Sequence, residues 1–172
     1  MKFIIITFLM SFVLIQNGFS QDYQTKTIKI GHVFYLDIPE YFVRTTSLNN
    51  SAIVQYMNEM KGAYLIVIDD NKEEINLSGG NFVTPKDYFD FFLSGFKTDD
   101  TNILSAQSLK INGYDAYQSE ITANIDILKI YYLITIIESK DYFYNIICWS
   151  LFNDKDKFKN EYIKIANSFK EE

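Results

Sequence analysis

Two consecutive segments near the end of the chain are apolar on both sides of an extended backbone, and this pattern constrains the fold most. In Leu128–Ile137 both the odd and the even positions are largely apolar or aromatic, and the run Tyr142–Leu151 has the same character. The intervening Ser139-Lys140-Asp141 favours a turn. A strand that is apolar on both faces must be covered on both faces. We therefore expect this hairpin to lie centrally in a sheet with a layer on each side.

The hairpin extends a predicted series of antiparallel strands in the second half of the chain. Ile103–Ile111 and Tyr114–Thr122 are separated by Asn112-Gly113, a pair that accepts the positive φ angles of a tight hairpin turn. Asn124–Asp126 predicts the next reversal. The first half predicts four shorter strands: Tyr23–Ile30, Val33–Ile38, Ala52–Met57 and Ala63–Ile68.

Two helices complete the predicted order. Thr84-Pro85-Lys86-Asp87 is typical of a capped helix start, and aromatic residues then recur at helical spacing up to Phe96. A second helix is predicted from Asn153 or Asp154, with an apolar stripe ending at Phe169. The acidic segment 69–83 is interpreted as an exposed loop. The fold class is therefore α+β, an antiparallel β-sheet meander flanked by helices.

The N-terminus has the three parts of a signal peptide. Met1 and Lys2 are followed by the apolar run Phe3–Ile15, which is shorter than the roughly 20 residues that span a bilayer. Small residues then precede a cleavage site between Ser20 and Gln21. We expect residues 1–20 to be removed and residues 21–172 to form one domain, exported to the periplasm or beyond, with no membrane span in the mature chain.

Composition excludes several classes of function. The chain has 16 Lys and Arg residues against 22 Asp and Glu residues, and its lysines are scattered. It therefore has no basic stripe that could neutralise phosphates, and nucleic-acid binding is not expected. Cys148 is the only cysteine, which rules out an internal disulfide and is typical of a small buried apolar residue.

No catalytic, cofactor or metal motif is predicted. His32 is the only histidine and is interpreted as an exposed turn residue, since no nucleophile motif accompanies it. One His and one Cys are too few for a zinc site built by the protein. The segment 69–74 offers calcium-binding oxygens but lacks the regular spacing of a calcium loop, so a solvated acidic loop is favoured. Glu120 and Asp126 flank one turn and are interpreted as solubilising acids at a strand edge, with a glycosidase pair as the alternative.

Aromatic residues are unusually frequent, with 13 tyrosines and 15 phenylalanines. Most are expected in the core. A subset alternates along adjacent strands and is the candidate binding face: Tyr114, Tyr117, Tyr131, Tyr142 and Tyr144.

Four segments in order resemble the PsbP-like family, which includes bacterial DcrB-like exported proteins. They are Leu36–Phe42, Tyr88–Phe96, Ile111–Tyr117 and Phe158–Phe169, and the resemblance covers about residues 28–170. Many relatives have tryptophan where this chain has Phe42. The resemblance implies an antiparallel sheet between helices and no enzyme activity, because relatives act as accessory, assembly or binding proteins.

The sequence thus supports an exported, non-enzymatic accessory or binding protein of the bacterial envelope, whose partner is expected to be a protein or peptide. The alternatives are a small carboxylate-using hydrolase and a protective protein that neutralises a toxin.

Overall fold

A computed structural model describes residues 24–30, 34–96 and 100–172 of the chain. The predicted signal peptide, its cleavage site at Ser20 and Gln21, and His32 lie outside the described residues. Among the described helices, none combines the length and the apolar character needed to cross a membrane.

The described part of the chain forms strands and helices in an α+β order. The strands are β1 (Thr25–Ile30), β2 (Phe34–Pro39), β3 (Val43–Arg44), β4 (Val54–Asn58), β5 (Ala63–Asn71), β6 (Asn102–Ile111), β7 (Tyr114–Ile125), β8 (Leu128–Glu138), β9 (Tyr142–Leu151) and β10 (Lys170–Glu171). The helices are α1 (Lys72–Leu77), α2 (Pro85–Ser94) and α3 (Lys155–Asn167), with a short 3-10 helix at Phe152–Asp154 before α3.

Two antiparallel sheets form from these strands. The larger has the order β3-β4-β5-β9-β8-β7-β6, and the smaller has the order β1-β2-β10. The pairing of β5 with β9 joins the two halves of the chain, and Ile66 lies opposite Ile147 in this register. The predicted central hairpin is confirmed, because β8 and β9 lie in the middle of the larger sheet.

Each face of the larger sheet carries its own apolar cluster. On one face, Tyr131, Leu133 and Cys148 pack with residues of β2 and α3. On the other face, Ile134 and Ile147 pack with residues of α2. The sheet therefore has a layer on each side, as strands that are apolar on both faces require. One of these layers is not purely helical, because β2 of the smaller sheet packs there beside α3.

Several boundaries differ from the prediction. The segment 69–83 is not a continuous loop: β5 continues to Asn71, and α1 follows at once because the Asn71 side chain accepts from the backbone N–H groups of Glu73 and Glu74. The reversal after β7 comes later than Asn124, since Ile125 still pairs with Leu128. The two-residue strands β3 and β10 were not predicted because their sequences are too short to show alternation.

The predicted hairpin turn and the cap of α2 are confirmed, whereas Asp154 precedes α3 without a capping hydrogen bond from its side chain. Asn112 and Gly113 have φ angles of 49° and 96°, as a tight hairpin turn requires. Thr84 caps α2 through a hydrogen bond from the Asp87 backbone N–H, and the Asp87 carboxylate accepts from the Thr84 backbone N–H in return.

Candidate ligand-binding groove

A groove of about 720 Å³ lies on the α2 face of the larger sheet. Its floor consists of apolar side chains on β5, β8 and β9, its first wall is α2, and its second wall is the loop before β4. This volume is within the range of small-molecule sites. Its lining includes Ile66, Ile68, Phe92, Tyr132, Ile147 and Trp149.

A buried glutamine holds the loop wall in place. Gln55 is 7% exposed, and its side-chain oxygen accepts from the backbone N–H groups of Leu48 and Asn49 at 2.8 and 3.1 Å. Its side-chain nitrogen donates to the Asn49 carbonyl at 2.7 Å. Leu48 and Asn49 line the groove. The loop wall is therefore fixed to β4, and the groove is formed without a ligand.

Trp149, Tyr132 and Phe96 line one end of the groove, and Tyr64 packs on Trp149 beside it. Tyr64 stacks on Trp149 with ring centroids 5.2 Å apart, and Tyr132 lies 6.3 Å from Trp149. Phe96, just after α2, contacts Tyr132 edge-to-face at 5.3 Å. Large, rigid rings of this kind offer apolar contact area at low entropic cost.

The rim beyond these aromatic rings is also apolar. Ile125, Leu128 and Leu151 lie where β7, β8 and β9 reach the same end of the sheet, and all three are exposed. Ile127, at the turn between β7 and β8, is 97% exposed. An exposed apolar patch continuous with a groove is typical of a binding surface.

The opposite end of the groove is polar. Tyr88 of α2 donates a hydrogen bond to Oδ2 of Asp70 at the end of β5, and the Asn145 side-chain nitrogen donates to the same oxygen at 2.9 Å. Asn145 lies on β9 and is fully buried. Burial, reinforced by the bond to Asp70, raises the pKa of the Tyr88 phenol far above its ordinary value, so this phenol stays protonated.

One acceptor at this polar end lacks a partner. Oδ1 of Asn145 is the only buried side-chain polar atom without a hydrogen bond among the residues that the structure describes. A buried polar atom without a partner costs free energy, about 1–3 kcal/mol. Asn145 is not among the residues that line the groove, so this unpaired oxygen lies within the core beside the polar end.

A second cavity of about 540 Å³ adjoins the polar end. It lies between α1 and α2 and shares Asp70 and Phe91 with the groove. Asp70 therefore stands where the two cavities meet.

The five tyrosines of the candidate binding face do not form an exposed surface. Tyr117, Tyr131 and Tyr144 are buried, while Tyr114 and Tyr142 are half-buried. Tyr117 packs with α2, and the other four belong to the opposite face. The expected exposed aromatic surface is corrected: the strands that carry these residues are covered on both sides. A binding role for Tyr114 and Tyr142 stays a prediction.

Glu120 is not a solubilising residue at a strand edge. It is 7% exposed and accepts hydrogen bonds from Lys159 of α3 at 2.7 Å, from Ser105 at 2.7 Å and from Tyr131 at 3.1 Å. Burial alone raises the pKa of the Glu120 carboxyl, but these bonds outweigh burial and hold that pKa below its ordinary value.

Glu120 and Asp126 do not face each other across a cleft. Asp126 is exposed at the turn after β7. Six residues of strand separate the two, which is roughly 20 Å at about 3.3 Å per residue. Paired glycosidase carboxylates lie at most about 9.5 Å apart, so these two acids are not such a pair.

Cys148 lies in the buried centre of β9, and burial raises the pKa of its thiol far above the ordinary value. A thiol in that state is a poor nucleophile. Within the described ranges, no three His, Cys, Asp or Glu side chains are placed to hold a metal ion, and Asp69–Asn71 belong to a strand instead of a calcium loop.

The polar residues that organise the groove were missed from sequence. The acidic pattern of 69–83 predicts an exposed loop that contains Asp70. The strand pattern includes Gln55 and Asn145 but predicts no hydrogen-bonding partner for either side chain. The available signal was a single amide residue inside an otherwise apolar strand, since a buried amide requires partners elsewhere in the chain.

No family model and no curated protein matches the chain. Solved structures do match in fold. Cyanobacterial PsbP from a Synechocystis species is 12% identical with a TM-score of 0.64, covering 89% of this chain and 95% of that one. The Ran-binding protein Mog1p of Saccharomyces cerevisiae is 10% identical with a TM-score of 0.63, covering 87% and 96%. LpqN of Mycobacterium tuberculosis, involved in cell envelope biogenesis, is 8% identical with a TM-score of 0.61, covering 86% and 90%.

Proposed function

The chain has the PsbP-like fold, and on that basis we propose that it is an exported, non-enzymatic accessory protein of the bacterial envelope that binds an apolar ligand in the α2 groove. The observation that carries the proposal is the groove itself, about 720 Å³ in volume and lined mainly by aliphatic and aromatic side chains. Apolar clefts with few polar groups are the usual form of ligand sites.

The non-enzymatic part of the proposal has two supports. LpqN is involved in cell envelope biogenesis and Mog1p binds Ran, and roles of this kind support an accessory function. In this chain, the buried acid Glu120 is held by Lys159 and Ser105, and the Cys148 thiol is buried. Both groups have structural roles in the core.

The envelope location rests on the N-terminal segment and on LpqN. Residues 1–20 have the pattern of a signal peptide, with cleavage between Ser20 and Gln21. A protein or peptide partner is expected from the sequence, and the size of the groove narrows the bound part to a small molecule or a short segment.

Native mass spectrometry of the protein purified from the envelope fraction of its own cells tests the proposal. We expect a chain that begins at Gln21 and carries a bound apolar molecule, which denaturation releases. The cytoplasmic fraction is the control and should contain little of the chain. A chain that keeps residues 1–20 would contradict export, and a chain with nothing bound would contradict the ligand.

A further inference from the structure

Among the residues that the structure describes, the charged groups that line the groove and the adjoining cavity are all acidic. Asp70 lines both cavities, and Glu74 lines the adjoining one. The nearest cation along the chain is Lys72, which is occupied by Glu138 at 2.6 Å and by the Ser139 carbonyl at 3.1 Å. The polar end therefore complements a positive charge.

The hydrogen-bonding groups at the polar end point to the same chemistry. The Tyr88 hydroxyl proton is used by Asp70, and the Asn145 amide protons are directed at Asp70, Tyr88 and the Ile68 carbonyl. The Asp70 carboxylate lines the groove and has more acceptor sites than the two bonds to Oδ2 use. A ligand that donates hydrogen bonds suits this end better than one that accepts them.

The groove is long and apolar beyond Asp70. In the sheet register, Asp70 pairs with Phe143 and Tyr64 pairs with Trp149. Asp70 is therefore six residues of strand from the level of Trp149, which is about 20 Å at roughly 3.4 Å per residue. Ile68 and Ile66 occupy the floor between these two levels.

An alkyl chain fits this floor better than a peptide does. A peptide would bring backbone N–H and C=O groups against isoleucine and phenylalanine side chains such as Ile66, Ile147 and Phe92. Burial of those groups without partners is unfavourable, whereas an alkyl chain has no polar group to satisfy.

We propose that the groove binds a long-chain alkyl amine, with the ammonium group on Asp70 and the alkyl chain running along Ile68 and Ile66 toward Trp149. This inference rests on the proposed function and specifies its ligand. The ammonium group donates hydrogen bonds to the Asp70 carboxylate, and the alkyl tail runs toward the rings of Trp149 and Tyr132, which line the other end of the groove.

The probes are decylamine, decanol and decyl sulfate, titrated by calorimetry below their aggregation concentrations. A ten-carbon chain held at Asp70 is shorter than the distance to Trp149, so the heat of titration measures binding. Emission from Trp149, the only tryptophan in the chain, is recorded as a second signal because it lines the groove. We expect decylamine to bind about tenfold or more tightly than decanol, as a hydrogen bond to a charged group provides. Decyl sulfate should bind least tightly, because Asp70 repels it.

The variant Asp70→Asn removes the charge and keeps an acceptor oxygen. We expect it to bind decylamine and decanol with affinities within about twofold of each other, since the charge-assisted bond is lost. Asp90→Asn is the matched control: Asp90 is exposed on the same helix as Tyr88 and pairs with Lys86. It should keep the wild-type preference for the amine.

The outcomes separate this inference from the proposed function. Decanol binding without a preference for decylamine would overturn the amine and leave an apolar-ligand site. Absence of binding by every probe would overturn both. Tighter binding of a short apolar peptide ending in lysine would identify a peptide as the occupant instead of the alkyl amine. A change in Trp149 emission with protein concentration alone would identify a second copy of the chain as the occupant. The wild-type order of affinities requires no variant, so it decides the inference even where Asp70→Asn fails to fold.

Discussion

At the scale of single residues, the structure is determined by polar side chains whose partners lie far away in sequence. Glu120 of β7 accepts from Lys159 of α3, 39 residues later. Gln55 and Asn145 hold loop and strand backbone in the same way. The hydrophobic pattern identifies the strands that carry these residues, but it does not identify a pairing partner. Reasoning from sequence therefore placed Glu120 at a solvated edge.

Replacing Glu120 tests how much this buried cluster stabilises the fold. We expect Glu120→Gln to lower the free energy of unfolding by about 1–3 kcal/mol, because Lys159 and Tyr131 lose a charged acceptor. Urea unfolding at neutral pH measures the loss. Asp115→Asn is the control: the Lys110–Asp115 pair is exposed, and its loss should cost less than about 1 kcal/mol.

The same variant has a defined pH dependence. The pKa of Glu120 is lower in the folded chain than its ordinary value of 4.5. Its contribution is therefore fully present above that ordinary value and is lost as the pH falls through the lower folded pKa. The stability difference between wild type and Glu120→Gln should be constant above about pH 6 and should shrink in acid. A difference that grows in acid would contradict the assignment.

At the scale of elements, helix α2 shows how local sequence builds the groove. Thr84, Pro85 and Asp87 fix its start, and Tyr88 and Phe89 bury its inner face against the sheet. Phe92 of the same helix then lines the groove. These features were readable from sequence because capping and helical spacing are local. The groove itself was not, since its second wall is a loop held by Gln55.

Removal of the Thr84 cap should loosen α2, which forms the first wall of the groove. We expect Thr84→Ala to lower the free energy of unfolding by about 1 kcal/mol, since the Asp87 backbone N–H loses its acceptor. Faster amide hydrogen exchange in the first turn of α2 should accompany the loss. Thr84→Ser keeps the hydroxyl and should behave as wild type. Equal exchange rates in the two variants would show that the cap does not hold the helix.

At the scale of the whole molecule, the arrangement follows from one requirement. Strands β8 and β9 are apolar on both faces, so the larger sheet must have a cover on each side. On one side α3 and β2 pack closely against it. On the other side α2 is only ten residues long, and within residues 24–30, 34–96 and 100–172 part of the sheet beside it is uncovered and forms the groove. The sequence predicted the sheet and the two main helices, but not this incomplete cover, because it arises from the helix length relative to the sheet.

The central claim is that the uncovered part of the sheet beside α2 is a ligand-binding groove. Calorimetric titration with decanol tests this claim most directly. We predict saturable binding at one site with a negative heat-capacity change, the marker of apolar burial. Phe92→Ser should weaken binding, while Leu77→Ser, which alters an exposed residue of α1 outside the groove, should leave it unchanged. Thermal melting confirms that both variants are folded. Absence of saturable heat in the wild type, or equal affinity in folded Phe92→Ser, would contradict the groove as a ligand site.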